Sequence, residues 1–228
     1  IDVLVHPKDR RRAGDILHSL GFVHTGDRSS AHEETWQRGS VDIDLHWDVL
    51  APGRTRRPLV EELLARRVRQ GAVWRLSDED TVALMLLHPA VTKYVCSPHV
   101  GLNRVVDFLV FVQARPVAWD KVADLIRDSG LSGAAWCMLS WIDMLDDPET
   151  TQPWPFIPAG FRRRLEPGPL RRAYFRPWLV RDWPGRLVGR ADWLVRLAFT
   201  LPFHDHWSDA WRAIRYRAER ISSAKADA

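Results

Sequence analysis

Cysteine is nearly absent from this chain: Cys96 and Cys137 are the only two in 228 residues. Two thiols without Cys-x-x-Cys spacing build neither a disulfide framework nor a four-ligand zinc site, which favours a reducing, cytoplasmic setting. Lysine is almost as scarce, with 4 against 29 arginines. Long apolar runs are missing too. The longest candidate, Trp193 to Phe203, is interrupted by Arg196 and contains Pro202, well short of the roughly 18–20 residues that a membrane span needs. No secretory leader, internal repeat or low-complexity segment is evident. The chain opens on Ile1 rather than methionine, in what reads as a strand already under way, so further residues are expected upstream.

What is present suffices for one full domain or two small ones. Hydrophobic residues make up 46% of the chain, enough for a sizeable core and against wholesale disorder. The net charge of +4 is unevenly spread: Phe161 to Arg220 holds fourteen Arg, no Lys and six acids, hence +8, which leaves −4 for the remainder. An acidic working half and a basic flank are the expectation.

The first fifty residues alternate strand and turn signals. Val3–His6 reads as a strand and Asp9–Leu20 as a helix stopped by Gly21. Phe22–Thr25, His32–Gln37 and Val41–Val49 read as three more strands, separated by turns at Gly26–Ser30 and Arg38–Ser40. This β-α-β-β-β order is too compact for a doubly wound sheet and predicts a small mixed sheet with one flanking helix. An amphipathic helix over Leu59–Arg69 and a short strand over Ala72–Leu76 follow. Ser77-Asp78-Glu79-Asp80 then caps a Leu-rich helix running towards Tyr94 and bent by Pro89, with further helices at Leu102–Gln113, Trp119–Ser129 and Ser132–Leu145. Asp147–Pro169, with six prolines, reads as an extended connection, before helices near Ala191–Leu201 and Ser208–Arg220. The fold class is therefore α+β, with a sheet domain over 1–76 and a helical, Arg/Trp-rich domain over 77–228.

The densest chemical constellation is Val41-Asp42-Ile43-Asp44-Leu45-His46-Trp47-Asp48. Strand alternation puts Asp42, Asp44, His46 and Asp48 on one face and the apolar residues on the other. A solvated edge strand is the ordinary reading of such a row. Against it, like charges along one strand face repel unless a cation sits among them, and Mg²⁺ held by carboxylate oxygens would relieve the repulsion. Asp2, at the head of the first strand, could bring a second carboxylate from a neighbouring strand.

These elements in this order resemble the uncharacterised nucleotidyltransferase family of the polymerase-beta-like superfamily. Ile1-Asp2-Val3-Leu4-Val5 is similar to the later part of that family's Gly-Asp-Ile-Asp-Leu-Leu-Val strand, and Asp44-Leu45-His46-Trp47 to its Val-Asp-Leu-His-Trp strand. Leu76–Asp80 with the following Leu-rich helix, Val106-Asp107-Phe108-Leu109, and Trp119-Asp120 extend the likeness to about residue 147. The resemblance implies transfer of a nucleoside monophosphate, AMP from ATP or the equivalent from another NTP, with Mg²⁺ (or Mn²⁺) neutralising charge on both sides of an in-line displacement. Asp2 and Asp44 would be catalytic and, with Asp42, metal-binding. The pattern places the first acid of the pair immediately before Ile1 and a phosphate-cradling Gly-Ser turn further upstream. Members often lie near bacterial peptide-tailoring genes, so the acceptor is expected to be a peptide or small metabolite, bound between sheet and helices.

Other residues carry two readings each. His46 orients a phosphate or a carboxylate, or simply packs on its strand. His88 is a core histidine or a substrate contact, and Lys93 a surface lysine or a phosphate ligand. Asp107, in an apolar helix, is read as paired, for example with Arg104, or facing a cleft. His204-Asp205-His206 has metal-like composition but reads as helix-end polar residues. The Arg- and Trp-rich end either buries its tryptophans and exposes its arginines, or grips RNA or a phosphorylated partner. A non-catalytic module that binds a peptide, protein or nucleic acid through that basic face is the rival to the enzyme.

Overall fold

The computed structural model describes residues 1–25, 32–50, 53–91, 98–144, 156–179 and 198–226. The chain divides into two compact units, Ile1–Ser77 and Asp78–Ala228, and its class is α+β as expected.

In the first unit β1 (Asp2–Leu4) leads through a 3₁₀ turn at Pro7–Asp9 into α1 (Arg10–Ser19), and then come β2 (Val23–His24), β3 (Glu33–Arg38) and β4 (Val41–His46). The sheet order is β1-β4-β3-β2. β1 runs parallel to β4, while β4–β3 and β3–β2 are antiparallel. The mixed sheet follows from the connections: a helix crossover permits a parallel pair, and the two-residue turn Gly39-Ser40 closes a hairpin. Gly39 takes φ +59°, a conformation that costs a residue with a Cβ.

Alternation along β3 and β4 separates two faces. Trp36, Ile43 and Leu45 look towards α1, where the Trp36 ring lies against Gly14 and Leu45 is fully buried. Arg10 of α1 pairs with Glu34 on this side and sets its guanidinium 3.7 Å over the Trp47 ring. The opposite face carries Glu33, Thr35, Asp42, Asp44 and His46.

Two expectations for this unit need correction. The helix proposed over Leu59–Arg69 stops early: α2 covers Val60–Ala65, and Val68–Gln70 forms β5, antiparallel to β6 (Val73–Arg75). A short helix carries little stability of its own, and the β-branched Val68 with a turn at Gly71 lets the hairpin win. The strand proposed to Val49 ends at His46, and the Asp48 carboxylate accepts a hydrogen bond from the Val49 N–H at 2.8 Å. Asp48 therefore belongs to a turn and not to the row of Asp42 and Asp44.

The second unit is helical: α3 (Asp78–Val91), α4 (Pro98–Ala114), α5 (Trp119–Ser129), α6 (Ser132–Met144), α7 (Ala159–Leu165), α8 (Pro169–Leu179) and α9 (Trp207–Ala226). α3 and α6 form its centre. Val82, Leu86 and Ala90 of the one, and Ala134, Met138, Trp141 and Ile142 of the other, are shut off from solvent. α6 has one charged residue in thirteen, the composition of a helix packed on most sides. α5 shows the alternative pattern, with Val122, Ala123 and Ile126 inside and Asp120, Asp124 and Asp128 on the outer side, and ends at Gly130 with φ +77°. α7 falls inside the segment read as extended. Pro158 precedes its first turn, where a proline is tolerated, and Phe161 and Leu165 bury its inner side. The turn at 26–30, Tyr94, Cys96, residues 147–155 and most of the helix expected near 191–201 lie outside the described residues.

Candidate active site

The register of the sheet brings the carboxylates together. Asp2 and Asp44 are direct partners across the parallel β1–β4 pair, and Leu4 and His46 occupy the same relation two residues on. Partners across a ladder share a face, so both carboxylates rise from adjacent strands on the side away from α1. Asp2 is open to solvent, with its side chain 81% exposed, and Asp44 is half-buried.

Asp44 is held in place. Its cross-strand partner is Thr35, whose hydroxyl donates to Asp44 Oδ1 at 2.8 Å. One oxygen of Asp44 is thus committed to orientation, and three carboxylate oxygens of the pair stay available for a hard cation. Asp42 lies on the same face, opposite Gln37, and is exposed. Oxygen donors from two neighbouring strands suit Mg²⁺, which takes one or two carboxylates and completes its shell with water and phosphate oxygens.

His46 extends the site. Its Nε2 lies 3.9 Å from Asp2 Oδ1, and its Nδ1 lies 3.5 Å from Oε2 of Glu33, its cross-strand partner. His32 joins from the bend that precedes β3, with Nε2 3.8 Å from the same Glu33 oxygen. The main chain locks this corner, since the Trp47 N–H donates to the His32 carbonyl at 2.9 Å.

Of the residues singled out from the sequence, the sheet therefore gathers Asp2, Asp42, Asp44 and His46 on one face. His88 sits half-buried in α3 of the helical unit, before Pro89, and Lys93 lies outside the described residues. Thr35, Glu33 and His32 were missed. Their signal was the hairpin itself: counting outwards from Gly39-Ser40 pairs Thr35 with Asp44 and Glu33 with His46.

The remaining motifs resolve into structure. Asp107 is exposed on the outer side of α4, so no buried partner is needed. Asp205 binds the start of α6, accepting from the Ser132 N–H at 3.1 Å and the Ser132 hydroxyl at 2.9 Å. Several of the C-terminal arginines are engaged internally: Arg162 with Asp143, Arg164 with Asp120 and Asp124, and Arg172 with Glu166. The tryptophans do not all turn inwards. Trp207 and Trp211 of α9 are largely exposed, and the aromatic core nearby is built from Phe175, Phe199 and Phe203. Trp183 and Trp193 lie outside the described residues.

Among the described residues no helix is long and apolar enough to cross a membrane. No curated protein and no solved structure matches the chain at a significant level. The model of the uncharacterised nucleotidyltransferase family matches residues 1–145, the whole of the sheet unit with its paired carboxylates and the first four helices of the other unit, and the chain belongs to that family.

Proposed function

We propose that the protein transfers a nucleoside monophosphate, AMP from ATP, to a hydroxyl or similar nucleophile on a peptide or small metabolite, at the Asp2–Asp44 face of the sheet. The observation that carries this reading is the in-register pairing of Asp2 and Asp44 on one open sheet face, with Thr35 orienting Asp44. Asp2 and Asp44, with Asp42 beside them, are the residues that would hold Mg²⁺ or Mn²⁺. When bound, the ion supplies charge neutralisation to the triphosphate during in-line displacement.

The chain's own contribution is positioning. β1 and β4 set the two carboxylates at ladder spacing, so no long side chain has to be ordered when substrate arrives. Thr35 prevents Asp44 from turning away. His46, with Nε2 3.9 Å from Asp2 Oδ1, would donate to a phosphate oxygen or, after a small approach, to the Asp2 carboxylate. The basic C-terminal segment lends little support to the rival reading of a nucleic-acid grip, because Arg162, Arg164 and Arg172 each already pair with a carboxylate within the fold.

The test uses the full-length protein with labelled ATP, Mg²⁺ and a panel of peptide and metabolite acceptors. Label transfer that needs Mg²⁺ and is lost in Asp44→Ala is the expected result. Nucleotide binding indifferent both to Mg²⁺ and to Asp44→Ala would refute the mechanism.

A further inference from the structure

We propose that His32, Glu33 and His46 form a second metal site, for Zn²⁺ or a similar borderline transition ion, distinct from the carboxylate pair. One ligating atom from each of the three lies within 4.8 Å of the other two. Glu33 Oε2 stands at the centre, 3.5 Å from His46 Nδ1 and 3.8 Å from His32 Nε2. Both separations exceed a good hydrogen bond, which lies at about 2.7–3.2 Å. They come close to the spacing a shared ion imposes: ligands about 2.0–2.1 Å from tetrahedral zinc sit about 3.3 Å from each other. Those two separations need to close by only a few tenths of an ångström, and the two imidazole nitrogens, within 4.8 Å of each other, by up to about 1.5 Å to complete the site.

The surroundings favour a metal over a loose ion pair. His46 Nδ1 is sealed from solvent and makes no hydrogen bond. The two histidine side chains are only 11% and 17% exposed, while Glu33, at 38%, leaves an entry path. The ligands are fixed by the backbone, because Glu33 and His46 are ladder partners and the His32 carbonyl is bonded to the Trp47 N–H. Two imidazoles and one carboxylate select Zn²⁺, Co²⁺ or Ni²⁺ over Mg²⁺, and three protein ligands leave one position open to water or substrate. The neighbouring Asp2–Asp44 face, with oxygen donors alone, has the opposite preference.

The site also reaches Asp2. An ion on Nδ1 of His46 places the ring proton on Nε2, the nitrogen 3.9 Å from Asp2 Oδ1. Metal, imidazole and carboxylate then stand in the sequence that commonly orients metal-bound histidines. The site stands apart from the nucleotidyl-transfer reading, since its readout is metal binding and needs no turnover.

The experiment titrates tag-free full-length protein with Co²⁺, followed by visible absorption, and then displaces it with Zn²⁺. One Co²⁺ per chain with intense tetrahedral bands is expected, retained in about 10 mM Mg²⁺ because that hard ion disfavours imidazole. His32→Ala and His46→Ala should abolish the bands. Glu33→Gln, a conservative change at a partly exposed position, should weaken binding at least about tenfold. Asp44→Asn should leave it within about threefold, whether or not that variant retains activity. In the wild type, imidazole ¹⁵N shifts should report metal on Nδ1 of His46 and Nε2 of His32, a readout that needs no variant. Absence of stoichiometric Co²⁺ binding, unchanged ring shifts, or binding that survives the histidine variants while failing in Asp44→Asn would overturn the proposal.

Discussion

Asp2 and Asp44, forty-two positions apart in the chain, are direct partners across the parallel β1–β4 ladder, and their carboxylates share one face. Neither can be replaced by a neighbour without changing the register of the sheet. Asp44→Asn and Asp2→Asn are isosteric and should leave the fold intact. Under the proposed mechanism each is expected to lower label transfer by on the order of a hundredfold or more, since it would remove a charge that acts on the transition state. Initial rates at saturating Mg²⁺, beside circular dichroism of both variants, provide the check.

Thr35 acts through Asp44. Thr35→Val keeps the shape of a β-branched strand residue and removes the hydroxyl that donates to Oδ1. A hydrogen bond to a charged group is worth about 1.5–3 kcal/mol, so a loss of roughly tenfold or more in kcat/KM is expected. Weaker Mg²⁺ activation should accompany it, and Thr35→Ser should recover most of the loss.

Burial pushes the Asp48 carboxyl above its ordinary value of 3.8, against the opposing effect of the N–H groups of Val49 and Leu50. A raised folded-state pKa means the native state holds the proton more tightly than the unfolded chain. The stability this confers is full below the unfolded pKa and is lost as pH rises through the folded one. Asp48→Asn keeps an acceptor for Val49 and has nothing to ionise. It should therefore be the more stable protein at about pH 7 by urea unfolding, with the difference shrinking towards about pH 3.

Asp205 ties the segment before α9 to the first turn of α6 through two bonds to Ser132. Asp205→Ala leaves the Ser132 N–H without that acceptor and is expected to cost about 1–3 kcal/mol. For a protein of this size that is a fall in Tm of about 2–4 °C per kcal/mol. A thermal melt at fixed scan rate tests it.

Cys137 lies on α6 with no exposed surface, and burial pushes its thiol well above the ordinary value of 9.0. In a Cys96→Ser background it should resist alkylation in the native state and react only as fast as the helical unit opens. Labelling at a rate close to that of a free thiol would show that α6 is not the centre of the core.

The sheet was legible because its signals are local: alternating runs, a Gly-Ser turn and a helix that stops at glycine. The carboxylate face was legible for the same reason, since alternation alone sorts Asp42, Asp44 and His46 from Ile43 and Leu45. Boundaries failed where a competing pairing decided them. Val68 and Arg69 continue a helical pattern, but hydrogen-bond to β6 instead. Asp48 continues the alternation, yet its carboxylate turns to its own backbone. α7 was hidden by proline counting, because Pro158 sits where a helix begins rather than where one breaks. Glu33 and His32 escaped notice since their role depends on which residue lies opposite, and composition does not report that.

The two-residue turn at Gly39-Ser40 makes chain length a chemical variable. Glu33, Thr35, Asp42, Asp44 and His46 all ride on the single hairpin that it closes. One residue added to the turn would slip the ladder, turn one strand over and scatter these five groups between solvent and the α1 side. An insertion there would do the damage of several simultaneous substitutions without altering a single side chain.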